Sequence, residues 1–166
     1  MNLPMSIVRA MLAVAMLVCC FSGPAAAAEE GKKDACTLVT REEIQAAVGQ
    51  NVSESTLNPN ANPAVGKPCQ YVVGSTGAFS IFIKTVGPGE TADKTIAALN
   101  KMEVATTDVS GLGDRSFFSS PGYGMIQLNT FQGANYLIIT IMVPGATEEA
   151  QKSAAEALMR KALAKA

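Results

Sequence analysis

The sequence contains no histidine and no tryptophan, and aromatic residues make up 5% of its 166 residues. Without histidine, a Ser/His/Asp relay, a Cys/His pair and a His-containing zinc site are excluded. The shortage of aromatic side chains argues against a surface on which sugars or bases stack. A serine or tyrosine activated by lysine, or a pair of carboxylates, remains possible, but neither occurs at a recognisable spacing. We therefore predict no catalytic residue, no metal site and no cofactor.

Charged residues are also few, at 16% of the chain. The 13 basic and 14 acidic residues give a net charge of −1. The basic residues are scattered and form no run. Because binding to phosphate backbones needs clustered lysine and arginine, we do not expect nucleic acid to be a partner.

The N-terminus has the pattern of an export signal. Arg9 precedes the apolar block "AMLAVAMLVCCF", which is shorter than the roughly 20 residues needed to span a bilayer. The small residues Ala26 and Ala28 match the preference of signal peptidase. We predict a signal peptide over residues 1–28, cleaved after Ala28.

The remaining chain is long enough for one domain. We predict a flexible, charged leader over residues 29–35 and a single domain over residues 36–166, in a periplasmic or secreted protein with no transmembrane segment in the mature chain. The alternative is a lipoprotein anchored through Cys20. Cys19 stands before it, where lipoprotein signals usually have a smaller residue.

Two cysteines, Cys36 and Cys69, follow the signal. An even pair in an exported chain predicts a disulfide bond. Two separate thiols are the alternative, and metal binding is a weaker one because no histidine is available to complete a site.

Periodicity and turn residues predict an α+β fold: an antiparallel sheet of about five strands with helices packed on one face, in the order α-β-β-α-β-β-β-α. The first helix lies between Thr40, which forms a capping box with Glu43, and Gly49. Later helices are expected over residues 90–102, with an outward Glu90–Lys94 pair, and from Thr147 to the end. Residues 51–67 form a long loop. Strands are expected at 69–73 and 78–86, and in a hairpin that turns at Gly133-Ala134.

The stretch "VSGLGDRSFFSSPGYG", residues 109–124, is rich in glycine. Strand-forming residues follow it, which argues against a phosphate loop, since such a loop leads into a helix. Gly111 and Gly113 instead predict a tight turn with positive φ, in which Asp114 bonds the nearby backbone.

Phe117 and Phe118 are adjacent, so on a strand they point to opposite faces. We expect one of them in the core and the other exposed near Tyr123. With Arg115 and Tyr123 they form a possible contact patch for a ligand or partner. The alternative is that a helix or loop covers both rings.

The segments "CTLVTREEIQAAVG", "CQY" and "SGLGDRSFF", followed by an apolar hairpin and an Ala-rich terminal helix, resemble exported domains of unknown function best known from actinobacterial lipoproteins. The resemblance covers nearly all of the mature chain. It implies an extracytoplasmic α+β domain with paired cysteines, and it supplies no catalytic residue.

These observations favour a small, non-catalytic periplasmic domain that binds an apolar ligand or an envelope protein. A subunit for envelope assembly or inhibition is an alternative. The weakest hypothesis is a hydrolase or transferase that uses serine or tyrosine with lysine. A deep pocket with Lys84 or Arg115 beside a serine would favour the enzyme, whereas an open aromatic patch would favour a protein partner.

Overall fold

The computed structural model describes residues 34–57 and 67–166. The predicted signal peptide, its cleavage site, Cys20 and most of the leader lie outside the described residues, as do residues 58–66 of the predicted loop. Ala35, the last residue of the predicted leader, is buried and begins a short 3-10 helix, Ala35–Thr37. The folded region therefore includes Ala35.

The described residues form three α-helices, and their caps follow the sequence closely. They are α1 (Arg41–Val48), α2 (Ala92–Lys101) and α3 (Glu148–Leu163). The predicted capping box of α1 is formed, because Thr40 and Glu43 each bond the other's backbone N–H. Gly49 ends this helix at φ +68°, in the left-handed conformation that glycine adopts without strain.

Helix α2 begins at Ala92 behind the N-cap Thr91, and the predicted Glu90–Lys94 pair is not formed. Glu90 precedes the helix and binds Lys84 of the preceding strand at 2.7 Å. The Lys94 ammonium donates to the Gly89 carbonyl at 2.6 Å. The prediction was wrong because Glu90 lies outside the helical spacing on which it relied.

Within residues 34–57 and 67–166, seven strands form one antiparallel sheet in the spatial order β1-β2-β3-β7-β6-β5-β4. The α+β class and the antiparallel sheet are thus confirmed. The sheet contains two strands more than expected, since β1 falls within the predicted loop and β4 follows α2. The strands are β1 (Thr56–Leu57), β2 (Cys69–Val73), β3 (Gly77–Thr85), β4 (Ala105–Val109), β5 (Arg115–Gly122), β6 (Met125–Gln132) and β7 (Asn135–Met142).

The sheet is apolar on both faces. The α3 face, which includes Ile81, Leu128 and Ile139, packs against α1 and α3 in the main core. The opposite α2 face carries a smaller cluster in which Phe117 and Tyr136 pack with residues of α2. The prediction of helices on one face therefore holds for α1 and α3, and α2 lies on the other face.

Cys36 and Cys69 form a disulfide bond, as predicted. The bond joins the 3-10 helix to β2, and Cys69 is completely buried in the main core. Because such bonds persist in oxidising compartments, it indicates an extracytoplasmic location. In the ranges that the structure describes, no helix is long and apolar enough to cross a membrane.

Candidate functional site

The glycine-rich loop between β4 and β5 is fastened to the β6–β7 hairpin. The Asp114 carboxylate accepts a hydrogen bond from the Gly133 N–H at 2.7 Å, and the Asp114 N–H donates to the Phe131 carbonyl at 2.8 Å. The buried Ser116 hydroxyl lies 2.7 Å from the Leu112 carbonyl oxygen. These bonds give the loop a structural role.

The two glycines of this loop differ in their surroundings. Gly111 and Gly113 have φ angles of +70° and +57°. A Cβ atom on Gly113 would lie 2.7 Å from both the Phe131 carbonyl oxygen and Thr130 Cγ2, whereas one on Gly111 would meet nothing within 4 Å. Gly113 is thus required for close packing as well as for backbone conformation.

The predicted contact patch is not assembled. Phe117 and Phe118 are both buried, at 0% and 5% exposure, so neither ring is the exposed member that we expected. Arg115 binds Asp108 at 3.0 Å and lies 3.8 Å from Asp93. The expectation failed because helices cover both faces of β5 at the two phenylalanines.

Tyr123 is 92% exposed and lies in the β5–β6 turn. Arg115 begins β5 and Tyr123 follows its last residue, so the two lie at different ends of the strand. Its φ angle is +57°, a conformation that is unfavourable for a bulky side chain. Tyr123 is therefore an isolated exposed aromatic residue at a hairpin tip, separated from the two phenylalanines.

Lys84 and Tyr136 lie next to each other on the α2 face, where a Tyr/Lys catalytic pair would need an ionisable phenol. Burial raises the pKa of the Tyr136 phenol well above its usual range. The Lys84 ammonium is held by both oxygens of Glu90, at 2.7 and 2.9 Å. Burial thus disfavours the ionised phenol, and Glu90 holds the lysine in an ion pair. An activated nucleophile needs the reverse, namely a lowered pKa or an adjacent base that is free to accept its proton.

Two open grooves lie in the described part of the chain. One, of about 470 Å³, follows the loop from Asp108 to Arg115. The other, of about 420 Å³, lies at the end of α1 between Glu42 and Asn51. The first contains Ser110 and Arg115, but the guanidinium is paired with Asp108. Neither groove is an enclosed apolar cavity of the kind that holds small hydrophobic ligands.

A row of neutral polar side chains crosses the α2 face of the sheet. Strand register places these residues directly opposite one another on six successive strands, and residues so paired share one face. In the spatial order β2, β3, β7, β6, β5 and β4, the polar row consists of Gln70, Ser80, Thr140, Gln127, Ser119 and Thr106.

Hydrogen bonds order the middle of this row. The Gln127 amide donates to the Thr140 hydroxyl at 3.2 Å, and the Ser119 hydroxyl lies 3.5 Å from the Gln127 carbonyl oxygen. The Asn129 amide donates to Ser119 at 3.1 Å, and the Tyr136 hydroxyl donates to Asn129 at 2.7 Å. The network runs from beneath α2 toward the part of the face that α2 leaves open.

Apolar side chains flank the row on both sides. Helix α2 packs on β4 and β5, and within the described ranges no helix packs on this face over β2 and β3. Val72 is 50% exposed there, and most of its neighbours are partly exposed. We define the neutral patch as Val72, Ala78, Ser80, Phe82, Gln127, Ile138, Thr140 and Met142.

Sequence reasoning did not find the neutral patch. Its signal was the placement of Ser80 and Thr140 between apolar residues of their strands, but their alignment follows only from the pairing of β3 with β7. Among the described residues, no group of acidic or cysteine side chains could hold a metal ion.

No protein-family model, no curated protein and no solved structure matches this chain.

Proposed function

We propose that this protein is an exported, non-catalytic domain whose neutral patch binds a protein of the cell envelope. The observation that carries the proposal is the composition of the patch, which contains no ionisable side chain and combines apolar rows with an ordered polar row. Depletion of charge is typical of the buried centre of protein–protein interfaces. The pre-ordered hydrogen bonds lower the entropic cost of presenting those polar groups to a partner.

A protein partner is favoured over a small apolar ligand by the shape of this surface. The patch lies on a sheet face, which can bury a broad area against another protein but encloses no cavity. A role in envelope assembly or inhibition is a form of the same activity and would use the same surface. The function of the bound partner would distinguish these two roles from simple binding.

The export step of the proposal rests on the N-terminal pattern and on the disulfide bond. The resemblance to exported domains of actinobacterial lipoproteins supports the same compartment. Intact-mass analysis of the protein recovered from its native host tests it. A chain beginning at Glu29 is expected, and a product that begins with a lipid-modified Cys20 would contradict the proposed cleavage site.

The binding step is tested with a charge placed at the centre of the patch. A photo-reactive amino acid at Ser80 is used to identify the envelope protein that crosslinks in the native host, and its affinity is then measured with purified components. Thr140→Arg is expected to weaken binding on the order of tenfold or more, because an unpaired charge is costly to bury in an interface.

The matched control is Ser153→Arg, which adds the same charge at an exposed position on α3. This variant should bind as tightly as the unmodified protein. Equal affinities for all three proteins would contradict the neutral patch as the binding surface.

A further inference from the structure

Strand β4 forms one edge of the sheet, and no described strand pairs with its outer side. Its five residues, "ATTDV", pair with β5 in unbroken register. Proteins usually protect such an edge with charged side chains, proline, a bulge, a very short strand or a covering helix or loop. The opposite edge is very short, because β1 has two residues, whereas β4 is longer, contains no proline or lysine and has one charged residue, Asp108.

The side chains of β4 are suited to further pairing. Thr106, Thr107 and Val109 are β-branched residues that favour strands. The single charge of the strand, on Asp108, is paired with Arg115 at 3.0 Å, and the same guanidinium lies 3.8 Å from Asp93 of α2. The outer edge therefore offers backbone groups that no described strand pairs with, and the one charge on the strand itself has a partner.

We propose that the β4 edge pairs with the β4 edge of a second copy of this chain, in antiparallel register centred on Thr107. A two-fold axis perpendicular to the sheet leaves each side chain on its own face of the sheet. Because directly opposed residues of an antiparallel pair point to the same face, the axis must lie between one residue and the same residue of the second copy. The candidates for this central residue are Thr106, Thr107 and Asp108.

Chemistry selects among these registers. Centring on Asp108 places two carboxylates directly opposite each other, which is destabilising. Centring on Thr106 places Asp108 opposite Val104, which precedes the strand. Centring on Thr107 pairs all five residues: Thr107 meets its own copy, and each Asp108 lies opposite a Thr106. This self-complementarity favours a second copy over an unrelated extended peptide.

The test uses opposite charges at one position, in the protein as processed by an exporting host. Sedimentation over a concentration series is expected to show a monomer–dimer equilibrium for the unmodified protein. Thr106→Asp places two pairs of carboxylates opposite each other and should weaken the dimer about tenfold. Thr106→Lys places each ammonium opposite Asp108 and should leave the dimer as tight or tighter.

Disulfide trapping checks the register independently. Directly opposed residues have Cα atoms about 4.5 to 5.5 Å apart, within the range that a disulfide spans. Thr107→Cys should therefore form a covalent dimer under oxidising conditions, and Thr106→Cys should do so far less. Circular dichroism and urea unfolding of each variant verify that it is folded.

A protein that stays monomeric at the highest attainable concentration would overturn the proposal. A dimer with equal responses to Thr106→Asp and Thr106→Lys would overturn it as well, as would a dimer broken by Thr140→Arg alone, which would place the contact on the neutral patch. If Thr106→Asp weakens binding of an envelope protein and leaves the dimer unchanged, the edge serves another partner. The neutral patch is tested separately, by the affinity of Thr140→Arg and Ser153→Arg for the crosslinked envelope protein.

Discussion

Phe117 and Phe118 are neighbours in the chain, yet they are buried in different hydrophobic clusters on opposite faces of the sheet. Phe117 packs in the cluster that includes Tyr136 and residues of α2. Phe118 belongs to the main core, where the ammonium of Lys152 on α3 lies 5.6 Å from its ring centre. Strand β5 therefore joins the two halves of the hydrophobic interior.

We expect Phe117→Ala and Phe118→Ala each to lower the free energy of unfolding by about 3 to 5 kcal/mol, since each deletes a buried aromatic ring. Tyr123→Ala is the control, because its side chain is 92% exposed, and it should change stability by no more than about 0.5 kcal/mol. Urea unfolding measures all three. A small loss at either phenylalanine would mean that its cluster is not well packed.

The glycines of the β4–β5 loop provide a matched pair. Both Gly111→Ala and Gly113→Ala introduce a side chain at positive φ, which costs about 1 kcal/mol. Only the second forces a Cβ to within 2.7 Å of the Phe131 carbonyl oxygen, and we expect it to cost about 1 to 3 kcal/mol more. Equal unfolding midpoints and slopes for the two variants would contradict this difference.

The features predicted correctly from sequence depend on local chemistry. Thr40, Glu43 and Gly49 specify both ends of α1 through bonds within a few residues, and Gly133 marks the turn between β6 and β7 because its φ angle is positive, +56°. The disulfide followed from the number of cysteines in a chain that we predicted to be exported. None of these predictions needed the arrangement of distant strands.

The features that were missed depend on long-range pairing. Strand β4 shows no alternation of apolar and polar residues, because its edge position buries neither face fully. The amphipathic pattern of α2 predicted a helix, but it could not select a face of a sheet that is apolar on both sides. The neutral patch requires the register of β3 with β7, which no local pattern contains.

The hydrogen bond from Tyr136 to Asn129 is short and buried, with an oxygen–oxygen distance of 2.7 Å. Tyr136→Phe keeps the ring that stacks on Phe131 but leaves the Asn129 carbonyl oxygen without this donor. We expect a loss of about 1 to 3 kcal/mol in the free energy of unfolding. The matched control, Tyr123→Phe, removes an exposed hydroxyl and should have little effect. Similar small losses for both would show that water replaces the missing donor.

Glu43 connects α1 to α3 and should make stability depend on pH. The hydrogen bond from the Thr40 N–H to its carboxylate, at 2.9 Å, is the largest cause that lowers the pKa of Glu43, and the ammonium groups of Lys161 and Lys165, each at 3.3 Å, lower it further. Since the folded-state pKa lies below the unfolded value of about 4.3, the ionised form stabilises the fold fully above that pH. The contribution is lost as pH falls through the lowered pKa.

Two substitutions at Glu43 separate its charge from its capping bond. Glu43→Gln retains a side chain that can accept the Thr40 N–H, whereas Glu43→Ala removes the bond and should cost about 1 kcal/mol near pH 7. The Gln variant should be less stable than the unmodified protein near pH 7, because it loses the attraction to two lysines. This difference should shrink when both are unfolded by urea well below the unfolded pKa of about 4.3, because the contribution of the ionised carboxyl group is lost as pH falls through the lowered pKa. A difference that is the same at both pH values would mean that the Glu43 charge does not stabilise the contact between α1 and α3.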